Sequence, residues 1–166
     1  DKRIDVLATA IHANMKATEL AELDLAYAPP YSSAKDPVNL AGFMVENIEN
    51  GILKQFHIEE IDQLPKDGSV TLLDTRTPGE YARGHVDGFQ NIPVDVLREH
   101  LDEIEKGKPV YVICQSGLRS YISTRILTGN GYDVYNFSGG FRFYDAVTND
   151  RCLMETATAC GMDYKK

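Results

Sequence analysis

Cys114, Gly117 and Arg119 fall within six consecutive residues of the stretch VICQSGLRS, residues 112–120. A cysteine attacks as its thiolate, and a helix that follows it offers unpaired N–H groups and the positive end of a dipole. Gly117 permits a tight curl through which the amides of Gln115, Ser116, Gly117, Leu118, Arg119 and Ser120 converge on one point, as in other backbone anion sites. Arg119 adds a fixed positive charge. These residues predict an anion-binding loop with Cys114 as its nucleophile. The competing reading is a buried structural cysteine, since free cysteine is among the most buried residue types.

Such a loop needs a strand to end at the cysteine and a helix to begin just beyond it. VYVIC ends at Cys114, and in open α/β sheets ligands gather at the carboxyl ends of strands. From about Phe56, short β-type runs alternate with helical ones, the pattern of an α/β domain with a mainly parallel central sheet flanked by helices. Strands are expected over 56–58, 70–75, 109–114 and 133–137. Thr77, Pro78 and Glu80 spell a capping box with proline at the first helical position. Further helices are expected over 94–107, from Gly117 to Gly129 or Gly131, and over 139–147. The stretch after Asn149 has no strong period.

The first fifty residues differ. Ile4, Leu7, Ala8 and Ile11 recur at helical spacing, TELAEL repeats it briefly, and AGFMVENIENG resumes it until Gly51, a helix stop. Between them DLAYAPPYSSAKDPVN is crowded with Pro29, Pro30 and Pro37 and is expected to be extended or turned. The expected division is 1–53, 54–149 and a tail over 150–166, with 1–53 a partial α+β segment. Ile4, Leu7, Ile11, Phe43 and Met44 are expected to present apolar faces without a partner.

Composition narrows the classes. Lys and Arg are outnumbered 17 to 25 by Asp and Glu, giving a net charge of −8, which argues against sequence-independent nucleic-acid binding. No apolar run reaches the ~18 residues of a membrane helix. Three cysteines do not suggest a disulfide scaffold and no leader segment is visible, so a cytoplasmic location is expected. His12, His57 and His100 lack ligand partners at a recognisable spacing, and no metal is expected. Cys152 and Cys160 read as ordinary thiols, a resolving pair being the alternative.

CQSGLRS resembles the active-site loop of single-domain rhodanese sulfurtransferases. LLDTRTPGEYARGHVDGFQNIPV is similar to that family's other signature through Asp74, Arg76, Glu80, Gly84, His85, Gly88, Asn91 and Pro93. The resemblance spans roughly 55–148. It implies the rhodanese fold and sulfur transfer through a persulfide on Cys114, with residues 115–120 binding the substrate. Asp74 and Arg76, at a strand end beside that of Cys114, could form an ion pair that holds the loop, a purely structural role being the equal alternative. His85 reads as a shaper of its turn rather than a general base. Four residues separate Cys114 from Arg119, whereas cysteine phosphatases use a loop one residue longer. Phosphatase or arsenate reductase activity is therefore the weaker enzymatic alternative, and a non-catalytic docking or regulatory module is the alternative of another class.

RIDVLATAI followed by LDLAYAPPYSSAKDPVNLAGF resembles the end of the dimerisation domain in flavin- and NAD(P)H-dependent reductases of the CoA-disulfide reductase group, some of which carry a carboxyl-terminal rhodanese domain. The resemblance implies a carboxyl-terminal fragment of such a fusion. Tyr27 matches a tyrosine that reaches the partner subunit's redox site, though packing against the prolines would equally explain Tyr27 and Tyr31. No GxGxxG occurs, so no cofactor is expected in this chain, while FAD, NAD(P)H and CoA are implied for an intact homodimeric protein. The implied partners are a small sulfur donor and a thiol acceptor such as CoA or a related persulfide.

Overall fold

Five short strands, β1 (Lys54–Phe56), β2 (Thr71–Asp74), β3 (Gln90–Asn91), β4 (Val110–Ile113) and β5 (Val134–Phe137), form one sheet in the order β1-β5-β4-β2-β3. Every pairing is parallel. The computed structural model describes residues 2–156, and the chain divides into two compact units, Asp1–Leu53 and Lys54–Lys166.

Successive strand residues point to opposite faces, so a strand buried on both sides reads as a continuous apolar run. VYVI does this. Val110 and Val112 join Leu73, Leu97, Leu127 and Val134 in one core, whereas Ile113 joins Phe56, Ile61, Leu72 and Phe137 in the other. Burying each such side chain contributes about 1.5–3 kcal/mol. Around the sheet lie α3 (Ile58–Ile61), α4 (Pro78–Arg83), α5 (Leu118–Gly129) and α6 (Gly140–Thr156).

Several expectations are corrected. The first strand covers 54–56 rather than 56–58, because His57 opens a helix: its amide donates to Glu60 Oε2 at 2.8 Å. The helix expected over 94–107 is two 3-10 turns, Leu97–Glu99 and Leu101–Glu103. The Tyr132 hydroxyl donates to the Leu101 carbonyl at 2.6 Å, with the Ile104 carbonyl 3.2 Å away, so a tertiary bond occupies an acceptor that a continuous helix would use. β3 is two residues long and carries no periodic signal. The boundary expected at 149/150 falls inside α6. Phe141, Tyr144 and Val147 pack one side of that helix onto the core, and a nucleated helix propagates easily. Cys160 and the Cys152 side chain lie outside the described residues.

In the first unit, α1 (Lys2–His12), a 3-10 turn (Ala17–Glu22) and α2 (Pro37–Glu49) are the elements, with no strand among the described residues. The expected α+β mixture is thus replaced by helices and turns, since Pro29 and Pro30 remove ladder donors. α2 starts before its apolar period because Asp36 accepts the Val38 amide at 3.0 Å and Pro37 needs no donor at the first position. Buried Asn39 donates to the carbonyls of Leu20 at 3.0 Å and Leu23 at 2.9 Å, tying the helix to the 3-10 turn. Ile4, Leu7, Ile11, Phe43 and Met44 are exposed.

Candidate active site

Cys114 directly follows β4, and its side chain is only 1% exposed. The chain turns at Gly117, whose φ of 107° lies in the left-handed region that glycine adopts freely, and Gly117 caps α5. That turn brings the Gly117 amide to 3.1 Å from Cys114 Sγ. One residue into the next turn, the Ser120 hydroxyl lies 3.3 Å from the same sulfur. The sulfur therefore has one amide and one hydroxyl as hydrogen-bond partners, a narrower set than the convergent amides expected from the sequence. The first-turn amides of α5 have no intrahelical acceptor. Ser116 and Leu118 are exposed at the rim of the loop.

Ser120 has a specific role that its place in the motif did not reveal. Its Oγ is also 3.1 Å from the Gly117 carbonyl. A hydroxyl has one proton to give, so Ser120 can turn it to the sulfur when the sulfur is anionic and to the carbonyl otherwise. Buried Ser123 and Thr124 donate back to Arg119 and Ser120 carbonyls at 2.9 Å each, which satisfies their hydroxyls on this unusually polar buried helix face.

A second helix start holds the loop from the other side. The Phe141 amide donates to the Cys114 carbonyl at 2.7 Å and the Arg142 amide to that of Gln115 at 3.1 Å. Gly140, at φ 68°, allows this approach: a Cβ there would lie 2.6 Å from both the Gln115 carbonyl carbon and the Ser116 nitrogen.

Asp74 and Arg76 meet at the exit of β2, two positions apart. They form a buried ion pair, Nη2 to Oδ2 at 2.7 Å, with Nε also reaching the carboxylate. Arg76 continues to the Gly84 carbonyl at 2.7 Å and the Gln115 side chain at 3.3 Å, and lies over the Phe141 ring at 4.0 Å. One guanidinium thus links β2, the end of α4, the Cys114 loop and α6. Asn91 braces the same strand exit by donating to the carbonyls of Asp74 and Arg76 at 2.9 and 2.8 Å.

Arg119 does not stand free beside the sulfur. Its two terminal nitrogens each donate to Glu80 at 2.7 Å. Those bonds hold the Glu80 carboxyl well below the usual carboxylate range and push Arg119 up. Glu80 was legible as a capping residue, and it does accept the Thr77 amide at 3.0 Å. Its hold on the loop arginine required the fold.

His85 stacks on Tyr81 with ring centroids 4.0 Å apart and places Nδ1 3.1 Å from the Tyr81 carbonyl, contacts that shape its turn. Tyr27, in the first unit, is half exposed. Among the described residues no group of three or more His, Cys, Asp or Glu side chains is placed to hold a metal ion, and no helix is long and apolar enough to cross a membrane. Beside the loop lies a cleft of about 230 Å³ lined by Arg76, Glu80, Arg83, Gly84, Gln115 and Phe141.

A parallel sheet with a cysteine loop between a strand end and a helix start defines a rhodanese-type domain, and the chain belongs to the rhodanese-like domain family, whose model matches residues 57–146. The uncharacterized protein YqhL of Bacillus subtilis is 42% identical over 72 residues, 43% of this chain and 57% of that protein. The crystal structure of reduced Bacillus anthracis CoADR-RHD is 46% identical with a TM-score of 0.86, covering 91% of this chain and 27% of that one. The NAD-dependent persulfide reductase from A. fulgidus is 41% identical with a TM-score of 0.74, covering 86% and 25%. These two likenesses extend beyond 57–146 into the first unit, and this chain spans about a quarter of each of those structures.

Proposed function

We propose that Cys114 carries a sulfur atom between a donor and a thiol acceptor, within a CoA-disulfide, CoA-persulfide or polysulfide reductase. The observation that carries the reading is the sulfur held between the Gly117 amide and the Ser120 hydroxyl at the start of α5. A thiolate at this position accepts from both donors. The thiolate attacks the outer sulfur of a donor R–S–S⁻, forming Cys114–S–S⁻ and releasing R–S⁻. An acceptor thiolate then takes that outer sulfur, and Cys114 returns to its starting form. With thiosulfate as donor the leaving group is sulfite.

The commitment of both Arg119 nitrogens to Glu80 speaks against a phosphatase, because a phosphate in the loop would compete for the same fork. Residues 1–166 contain no GxGxxG segment. We assign FAD and NAD(P)H to a reductase portion of a longer, cytoplasmic, homodimeric protein, with the exposed apolar residues of the first unit and Tyr27 facing the partner subunit. CoA or a related thiol is the acceptor in this reading.

The test is transfer from thiosulfate to a thiol, followed as sulfite release, by the full chain and by Cys114→Ser. Transfer that vanishes in the variant, with no hydrolysis of an aryl phosphate by either protein, is the expected result. Transfer retained by Cys114→Ser, or phosphate release dependent on Cys114, would overturn the assignment.

A further inference from the structure

The cleft beside Gln115 has an uneven charge balance. Of its charged lining residues, Arg76 is spent on Asp74 and Glu80 on Arg119. Arg83, at the last position of α4, lines the same cleft and is exposed, and its side chain forms no hydrogen bond or ion pair with the described residues. Among the described residues it is the lining guanidinium without a carboxylate partner. On a chain of net charge −8, this leaves a local positive charge at the α4 end of a cleft that Gln115, the residue next to Cys114, also lines.

The cleft, about 230 Å³ and open to solvent, has room for a small group beyond the transferred sulfur. Phe141, whose ring faces the Arg76 guanidinium at 4.0 Å, also lines the cleft. An uncharged persulfide would make no use of the unpaired guanidinium.

Resting on the sulfur-transfer reading above, we propose that Arg83 selects the donor: an organic persulfide carrying an anionic group, which Arg83 binds in this cleft while Cys114 takes the outer sulfur. Arg83 touches the donor's charge and not the reacting atoms, so it governs specificity and capture. A partly exposed charge acts on encounter and on ground-state binding, and its effect weakens with salt.

The test uses the full chain and three persulfides on one scaffold, those of 2-mercaptoethanesulfonate, 2-mercaptoethanol and cysteamine, with persulfide on Cys114 read by mass spectrometry over time. In each case Cys114–S⁻ + R–S–SH gives Cys114–S–S⁻ + R–SH. The wild type should use the sulfonate about fivefold better than the alcohol, the scale of an exposed charge pair, with the preference fading at high salt. Arg83→Gln should bring that ratio close to one, Arg83→Glu should favour the cysteamine persulfide, and Arg83→Lys should keep part of the original preference. The same sulfonate-to-alcohol ratio in wild type and Arg83→Gln overturns this inference and leaves sulfur transfer standing. No persulfide on wild-type Cys114 from any donor overturns sulfur transfer and this inference with it.

Discussion

Arg119 and Glu80 grip each other by both prongs, Nη1 to Oε2 and Nη2 to Oε1, each at 2.7 Å. The carboxylate that caps α4 through Thr77 is thus the same one that fixes the arginine of the Cys114 loop. Glu80 is held below its ordinary carboxyl range, chiefly by the Arg119 hydrogen bonds. A carboxyl lowered by folding contributes stability above its unfolded value of about 4.3, and that contribution fades as pH falls from there toward the folded value. Glu80→Gln should therefore cost about 1 kcal/mol at pH 7, the upper range for a partly exposed pair, and the gap should narrow below pH ~4.3. Urea midpoints across pH check this. A gap that stays constant down to pH ~3 would contradict it.

Ser120 can give its single proton to Cys114 Sγ or to the Gly117 carbonyl. Removing the hydroxyl takes away one hydrogen bond to the anionic sulfur, typically 0.5–1.5 kcal/mol. Ser120→Ala should slow sulfur transfer by about three- to tenfold while the chain stays folded. Transfer rates from thiosulfate, compared with circular dichroism of the same samples, test it. A variant as fast as wild type would remove Ser120 from the anion's environment.

Gly140 lets the start of α6 press on the loop. Alanine there combines a left-handed φ of 68° with a Cβ 2.6 Å from the Gln115 and Ser116 backbone. Gly140→Ala should cost more than about 1 kcal/mol and lower transfer, because the loop must shift. Gly79→Ala, where a Cβ meets nothing within 4 Å, is the control and should change stability by less than about 0.5 kcal/mol. Equal urea midpoints for the two variants would contradict the contact.

The strand core and the cysteine loop were legible because they rest on local patterns. VYVI and TLLD are apolar runs of strand length, and Thr77, Pro78 and Glu80 form the capping box they spell. The Asp74–Arg76 pair is likewise local, two positions apart at the exit of β2. What stayed hidden depends on distant partners. Tyr132 takes a carbonyl of the helix expected over 94–107, that of Leu101. Likewise Glu80 and Arg119, thirty-nine positions apart, meet only once the ends of β2 and β4 are side by side. β3 is held by pairing with β2 alone and is too short to carry a period. The donors around the sulfur were fewer than expected because one left-handed turn at Gly117 directs its own amide inward.

The central claim is that Cys114 becomes a persulfide. After incubation of the full chain with thiosulfate and removal of excess donor, peptide mass spectrometry should find one added sulfur atom on the peptide containing Cys114, absent from Cys114→Ser and lost when a thiol acceptor is supplied. An unmodified Cys114 in a folded sample, or a sulfur that no thiol can remove, would contradict it.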